Sequence, residues 1–145
     1  MIKLLHSYHT ELYRIETSSH AGPWSEALLQ DCFGDGYEVY GWLDQQQKLL
    51  AFYIIQRVLD EITLMNIAVM PEAQGAGIGR HLLEHLQATA STENATLWLE
   101  VRASNERALK LYQLNGFAEV GRRRGYYARG AEREDAVIMR WSGKP

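Results

Sequence analysis

Only one cysteine, Cys32, occurs in the 145-residue chain, so no internal disulfide can form and no cysteine-based metal cluster can assemble. That usage fits a reducing compartment, and the expected location is cytoplasmic. Long apolar stretches are missing too. The longest uninterrupted run, residues 49–55, falls far short of the roughly 20 residues that cross a bilayer as a helix, so no membrane association is expected. The first residues, Met1-Ile2-Lys3-Leu4-Leu5-His6, hold too short an apolar stretch and no small-residue cleavage site, and a secretory signal is not expected either. Positive charge is not in excess. A formal net charge of -3 argues against a general nucleic-acid coat, and no nucleic-acid partner is expected. Repeats and low-complexity linkers are absent as well. What remains is one domain over 1–145, with 46% apolar and 23% charged residues, a composition suited to a packed core.

Strand and helix patterns alternate along the chain, which places it in the mixed α and β class. Residues 2–5 read as a strand, and Thr10 is expected to cap a helix reaching about Thr17, broken by His20-Ala21-Gly22-Pro23. Ser25 is expected to cap a short second helix ended by Gly34 and Gly36. Residues 37–43 and 49–59 read as a hairpin around a polar turn at 44–47. In the next strand, residues 62–69, the apolar phase slips: Ile62 and Leu64 are even, Met65, Ile67 and Val69 odd. A β-bulge accounts for the slip, and so does a fully buried strand without strict alternation. Ile78, Leu82, Leu83, Leu86 and Ala90 then form one helical stripe. His81 and His85 share a helix face, but they lack the Glu placement of H-E-x-x-H and a third ligand. The reading is a solvated face and no metal. Residues 96–101 are a strand, a helix capped by Ser104 or Asn105 ends at Asn115-Gly116, and residues 117–121 and 135–141 are closing strands. The basic, aromatic segment 122–127 between them reads as a connection.

The most informative stretch is Gln74-Gly75-Ala76-Gly77-Ile78-Gly79-Arg80, which joins the 62–69 strand to the amphipathic helix. Its glycines allow a sharp turn and close approach of a ligand. The N–H groups that open the helix have no partners within it, and with the positive end of the helix dipole they suit a pyrophosphate. The spacing is neither G-x-x-x-x-G-K-[ST] nor G-x-G-x-x-G, so the corresponding nucleotide fingerprints do not apply. A glycine-rich connector without a ligand fits the same residues.

Two residues carry candidate chemistry. Glu100 interrupts the apolar strand 96–101, and period-two geometry puts it on the face of Trp98, opposite Leu97, Leu99 and Val101. Partial drying there raises a carboxyl toward the range of a general base. The alternatives are a solvated face or an ion pair with Arg102. Tyr112 falls on or beside the stripe of Ala108 and Leu111. It is either plain core or a buried phenol whose hydroxyl is aimed at something specific.

Asn66-Ile67-Ala68-Val69-Met70-Pro71, Gln74-x-x-Gly77-x-Gly79, residues 97–105 and Leu111-Tyr112-x-x-x-Gly116-Phe117 together resemble the GCN5-related N-acetyltransferase (GNAT) superfamily. More narrowly, the chain is similar to the RimI-type ribosomal-protein-alanine N-acetyltransferases, with further marks at Pro23-Trp24-Ser25-Glu26, Tyr126-Tyr127 and Glu134-Asp135-Ala136. The resemblance implies a single α/β (α+β) domain with a mixed, mostly antiparallel sheet flanked by helices, and acetyl-CoA as cosubstrate without a metal. It implies that Ile67, Ala68 and Val69 hold the pantetheine and acetyl end, that Gln74, Gly75, Ala76, Gly77, Ile78, Gly79 and Arg80 hold the pyrophosphate, and that Asn105 also touches the cosubstrate. Glu100 is implied as the base that accepts the amine proton and Tyr112 as the acid that protonates the departing thiolate, with a bulge donor near Ile67 for the oxyanion. Relatives often carry basic residues at Gly75-Ala76, an acidic residue at Met70 and an aromatic at Ala73. Phosphate contact here is therefore expected to rest on backbone N–H groups and Arg80.

The implied acceptor is the α-amine of a protein N-terminus, with an alanine-starting small-subunit ribosomal protein first. Its pKa near ~8 asks little of a base. A lysine side chain or small-molecule amine is a second reading, and a non-catalytic acyl-CoA-binding module a third. Trp24, Tyr126 and Tyr127 are the expected acceptor-binding residues.

Overall fold

The computed structural model describes residues 1–143; Lys144 and Pro145, which close the expected 1–145 domain, lie outside the described residues. Seven strands form one sheet in the order β1-β2-β3-β4-β5-β7-β6. They are β1 (Ile2–Leu5), β2 (Tyr37–Leu43), β3 (Leu49–Val58), β4 (Glu61–Val69), β5 (Thr96–Arg102), β6 (Ala118–Arg129) and β7 (Glu132–Trp141), with helices α1 (Thr10–Ser19), α2 (Glu26–Asp31), α3 (Ile78–Glu93) and α4 (Glu106–Leu114). Every pairing is antiparallel except that of β4 with β5. Among the described residues no helix is long and apolar enough to cross a membrane.

The expected stripe of α3 is buried and packs on Ala51, Tyr53, Ile55, Ile62, Leu64, Leu97 and Leu99. Leu12 and Ile15 of α1 and Leu29 of α2 cover the other face of the sheet through Val39, Phe52, Ile54 and Ala68. Successive side chains of β3 therefore enter opposite cores, which explains why residues 49–55 are apolar without alternation. Ser25 caps α2 by accepting from the Leu28 N–H at 3.1 Å, and Asn105 rather than Ser104 caps α4, accepting from Ala108 at 3.2 Å. The expected cap at Thr10 is corrected: Thr10 is already helical, His9 occupies the cap position without a side-chain bond, and the helix continues to Ser19.

The phase slip in β4 is a bulge. Ile54 pairs with Asn66 but Ile55 pairs with Leu64, which leaves Met65 as the extra residue. Ile62, Leu64, Ile67 and Val69 consequently all belong to the α3 side, while Ala68 and Met70 belong to the α1 side. Two further expectations need correction. Segment 122–127 is not a connection but part of β6, with a register shift between Arg123 and Tyr127. As an edge strand facing solvent it carries no apolar alternation to betray it. His85 is not on a solvated face either, since its Nδ1 lies 2.7 Å from the Tyr53 hydroxyl, and burial pushes its pKa down.

Leu82 is fully buried at the centre of the α3 contact. Leu82→Ala is expected to lower stability by about 2–5 kcal/mol, read as a reduced midpoint in urea unfolding monitored by circular dichroism.

Candidate active site

Strands β4 and β5 run together only from Glu61 opposite Thr96 to Leu64 opposite Leu99. Beyond that point β4 pairs with β3 alone and β5 with β7 alone, so the sheet splits into a wedge and opens a cleft of about 1030 Å³. The ladder determines what lines it. Met70 donates to the Leu50 carbonyl at 2.9 Å, and Phe52 faces Ala68. Backbone groups alternate in direction along a strand, so the N–H and C=O of Ile67 and Val69 point away from β3 and into the cleft. The Val69 carbonyl is taken by Gln74 Nε2 at 2.9 Å.

The glycine loop closes one end of the wedge. Gly75 and Gly77 have φ of 87° and 82°, the left-handed region where a side chain is strained, and Gly77 occupies the cap position of α3. The first backbone bond of α3 runs from His81 to the Gly77 carbonyl, so the N–H groups of residues 78–80 have no helical partner. Open space surrounds Gly75, and a Cβ on Gly79 would fill the gap to Leu111 and Val69 at 3.7 and 3.9 Å. A glycine cradle with outward donors fits the phosphates of the cosubstrate that the sequence resemblance implies. Gln74 itself is turned to Val69 and to Arg107, whose Nη1 lies 3.1 Å from its Oε1. Of the expected loop residues Ala76 is not on the cleft wall, whereas Gln74, Gly75, Gly77, Ile78, Gly79, Arg80 and Asn105 are. Among the described residues no three His, Cys, Asp or Glu side chains gather where a metal ion could be held.

Glu100 and Tyr112 both reach this cleft. The Glu100 carboxylate, a quarter exposed, pairs with Arg123 at 2.7 Å. The expected partner Arg102 instead meets Glu134 at 3.0 Å. A countercharge from the edge hairpin thus stands where the sequence pointed to a partly dry pocket. Tyr112 is 6% exposed and packs on Phe117, and burial, helped by Tyr127, raises its pKa far above the ordinary phenol value. It is a neutral phenol at physiological pH. The sole buried side-chain polar atom without a partner among the described residues is Trp98 Nε1, so the Tyr112 hydroxyl opens on the cleft. Trp24 and Tyr127 also line it, the latter beneath the Arg102 guanidinium at 4.5 Å. Tyr126 lies outside the cleft wall, 48% exposed, beside Tyr127 and Arg123.

A group of residues not anticipated from sequence lies behind the wall. Glu16 of α1 is fully buried. It accepts from His20 Nδ1 at 3.0 Å, from the Trp24 N–H at 3.0 Å and from Asn66 Nδ2 at 2.9 Å. Burial pushes the Glu16 carboxyl up, but these hydrogen bonds outweigh it and hold the pKa below the ordinary value. His20 moves the other way, raised first by its hydrogen bond to Glu16 and further by the Ile67 carbonyl, against the effect of burial. The available signal was a carboxylate at the i+4 position from Leu12 on the buried stripe of α1.

The pair makes stability depend on pH. Stability from the depressed Glu16 is present above the ordinary value of 4.5 and is lost as pH falls through its folded value; stability from the raised His20 is complete below 6.5 and is lost as pH rises through its folded value. The pair therefore supports the fold most between those two ordinary values. Thermal melts of the wild type are expected to decline on the alkaline side, and His20→Gln is expected to flatten that decline.

Comparisons with known proteins agree with this geometry. Residues 4–117 match the family model described as acetyltransferase (GNAT) family. The chain is 51% identical over 128 residues to the ribosomal protein bS18-alanine N-acetyltransferase of Escherichia coli strain K12, covering 88% of this chain and 86% of that protein. The crystal structure of the ribosomal-protein-S18-alanine N-acetyltransferase from Escherichia coli superimposes with a TM-score of 0.87 at 43% identity, over 100% of this chain and 96% of that one. A GNAT family acetyltransferase from Elizabethkingia anophelis with acetyl-CoA bound has a TM-score of 0.81 at 20% identity over 98% of this chain and 97% of its own, a likeness of fold. With its split sheet, glycine cradle and matched sequence, the chain belongs to the GNAT family of acetyltransferases.

Proposed function

We propose that this protein transfers an acetyl group from acetyl-CoA directly to the α-amine of the N-terminal alanine of ribosomal protein bS18. The observation that carries the reading is the meeting, on one cleft, of the Ile67 and Val69 N–H donors, the Glu100 carboxylate and the Tyr112 phenol. The choice of acceptor is supported by 51% identity to relatives that bear that activity in their names. The proposed location is the cytoplasm, where the acceptor is made.

Acetyl-CoA supplies a thioester carbon open to attack by an amine. The N–H groups that open α3 and the side chain of Arg80 hold the pyrophosphate, Asn105 lies at the same wall, and the β4 edge aligns the pantetheine arm. The N–H of Ile67 at the bulge faces the thioester oxygen and stabilises the negative charge that develops there. Glu100 takes the proton from the incoming amine as the N–C bond forms, and Tyr112 returns a proton to the sulfur as the C–S bond breaks. An α-amine is partly neutral at physiological pH, so the base needs little strength. Cys32 is buried in the opposite core, and burial raises its pKa to about 11. It takes no part, and no covalent acetyl-enzyme forms. Trp24 and Tyr127 flank the path of the acceptor.

Incubation with acetyl-CoA and a mixed panel of alanine-starting bS18 peptides, lysine peptides and small amines, read by mass spectrometry, tests the acceptor; acetylation of lysine alone overturns the reading. Glu100→Gln is expected to lower kcat by about 10²-fold with acetyl-CoA binding little changed in calorimetry. Tyr112→Phe is expected to cost a similar factor in single-turnover transfer, and full activity in that variant removes Tyr112 from the mechanism.

A further inference from the structure

The largest register shift in the sheet lies close to Glu100. β6 follows β7 as far as Arg123 opposite Ala136, then resumes at Tyr127 opposite Glu134. Residues 124–126 of β6 therefore stand against Asp135 alone. Such a bulge sacrifices ladder hydrogen bonds, and at a sheet edge beside an active site it serves to re-aim side chains. Side chains of β7 fix its backbone. Asp135 Oδ1 accepts from the Gly125 N–H at 3.0 Å, and Arg133 donates to the Gly125 and Tyr126 carbonyls at 2.6 and 3.2 Å.

Directly paired residues share a face, so Arg102, Ala136 and Arg123 line up across β5, β7 and β6. Glu100, two residues before Arg102, belongs to that face as well. Ala136 is too small to obstruct the Arg123 guanidinium, which crosses β7 to Glu100 at 2.7 Å. Arg102, nearer in sequence, is taken by Glu134 Oε1 and the Ala128 carbonyl, both at 3.0 Å. Glu100 borders the cleft and Arg123 does not, so the cation backs the carboxylate from outside and leaves the cleft open. The guanidinium lies over the ring of Tyr126, a residue of the bulge, at 5.1 Å.

Stability does not account for this pair, because Arg123 is more than half exposed and exposed ion pairs contribute little to folding. Base strength does not either, since a cation beside a carboxylate opposes its protonation. Orientation does. A general base must meet its proton within hydrogen-bond reach, and a misplacement of about 1 Å can cost ~10²-fold in rate. Building on the acetyl-transfer reading, in which Glu100 is the base, we infer that Arg123 is a positioning residue for Glu100, aimed by the bulge at 124–126. It engages Oε1 and leaves Oε2 for the incoming amine. Arg123 itself touches neither the amine nor acetyl-CoA, and Tyr126 acts from outside the cleft by supporting it.

A double-mutant cycle tests the coupling. Single-turnover transfer is measured on wild type, Arg123→Gln, Glu100→Gln and the double variant, with alanine-starting bS18 peptides and lysine peptides in parallel and thermal melts to establish folding. Arg123→Gln is expected to slow transfer about tenfold, with affinity for acetyl-CoA changed less than about twofold, and Arg123→Lys to recover part of the rate. In the Glu100→Gln background the same substitution should cost less than about twofold. An equal loss in both backgrounds, or no loss in either, overturns the inference. A second readout needs no turnover: in protein labelled with 13C at the glutamate δ-carbons, the Glu100 signal is identified by its absence from Glu100→Gln. That signal is expected to move in Arg123→Gln, and an unmoved signal overturns the inference whichever amine is acetylated. A cycle that holds with lysine peptides while bS18 peptides stay unmodified upholds it and defeats the acceptor assignment alone.

Discussion

Everything at the active site follows from backbone hydrogen bonds that the sheet declines to make. β4 and β5 are parallel neighbours for four residues each and then part, leaving N–H and C=O groups of Ile67 and Val69 without strand partners. Unpaired backbone polar groups are tolerated only where something else meets them. Here a ligand-sized cleft does so, together with Gln74 on the Val69 carbonyl. The bulge at Met65 matters for the same reason. One extra residue reverses which backbone groups face the opening and still keeps Ile67 and Val69 packed toward α3. Without it, Ile67 and Val69 would turn their side chains toward α1 and their backbone donors toward β3 together.

Charge is distributed around this wedge in pairs rather than as a field. Arg123 faces Glu100, Arg102 faces Glu134 and His20 faces Glu16, and each pair ties a different element to the cleft wall. Arg123 and Glu134 belong to the β6–β7 hairpin, so the chain's closing elements supply countercharges to β5. The glycine loop adds little formal charge of its own beyond Arg80, and the proposed hold on a pyrophosphate rests on N–H groups and the helix end. Such a site is pre-set by backbone geometry, which costs no side-chain ordering when a ligand enters.

Local patterns were legible wherever a single element carried its own signal. The α3 stripe, the Ser25 cap and the glycine loop depend on residues a few positions apart, and periodicity, capping chemistry and glycine content expose them directly. Glu100 was visible as a lone carboxylate in an apolar strand, and Tyr112 as a polar aromatic on a packed helix. The resemblance to acetyltransferases rested on these same stretches. Segment 122–127 was not legible as strand, because an exposed edge has no apolar alternation, and its pairing with β7 is a relation between distant residues. The Thr10 cap failed by one position, within the ordinary uncertainty of a helix end.

By itself, the sequence determined the mixed α/β class of the domain, the glycine loop at the head of α3 and which residues are the acid and base candidates, since short-range periodicity and residue chemistry suffice for those. Only the tertiary structure decided that the phase slip is a bulge, that Arg123 rather than Arg102 meets Glu100, and that Glu16, His20 and Asn66 form one buried network. Those outcomes depend on which backbone groups of distant segments find partners and which are left facing the cleft. That contest is settled over the whole sheet at once, and no local stretch of residues records it.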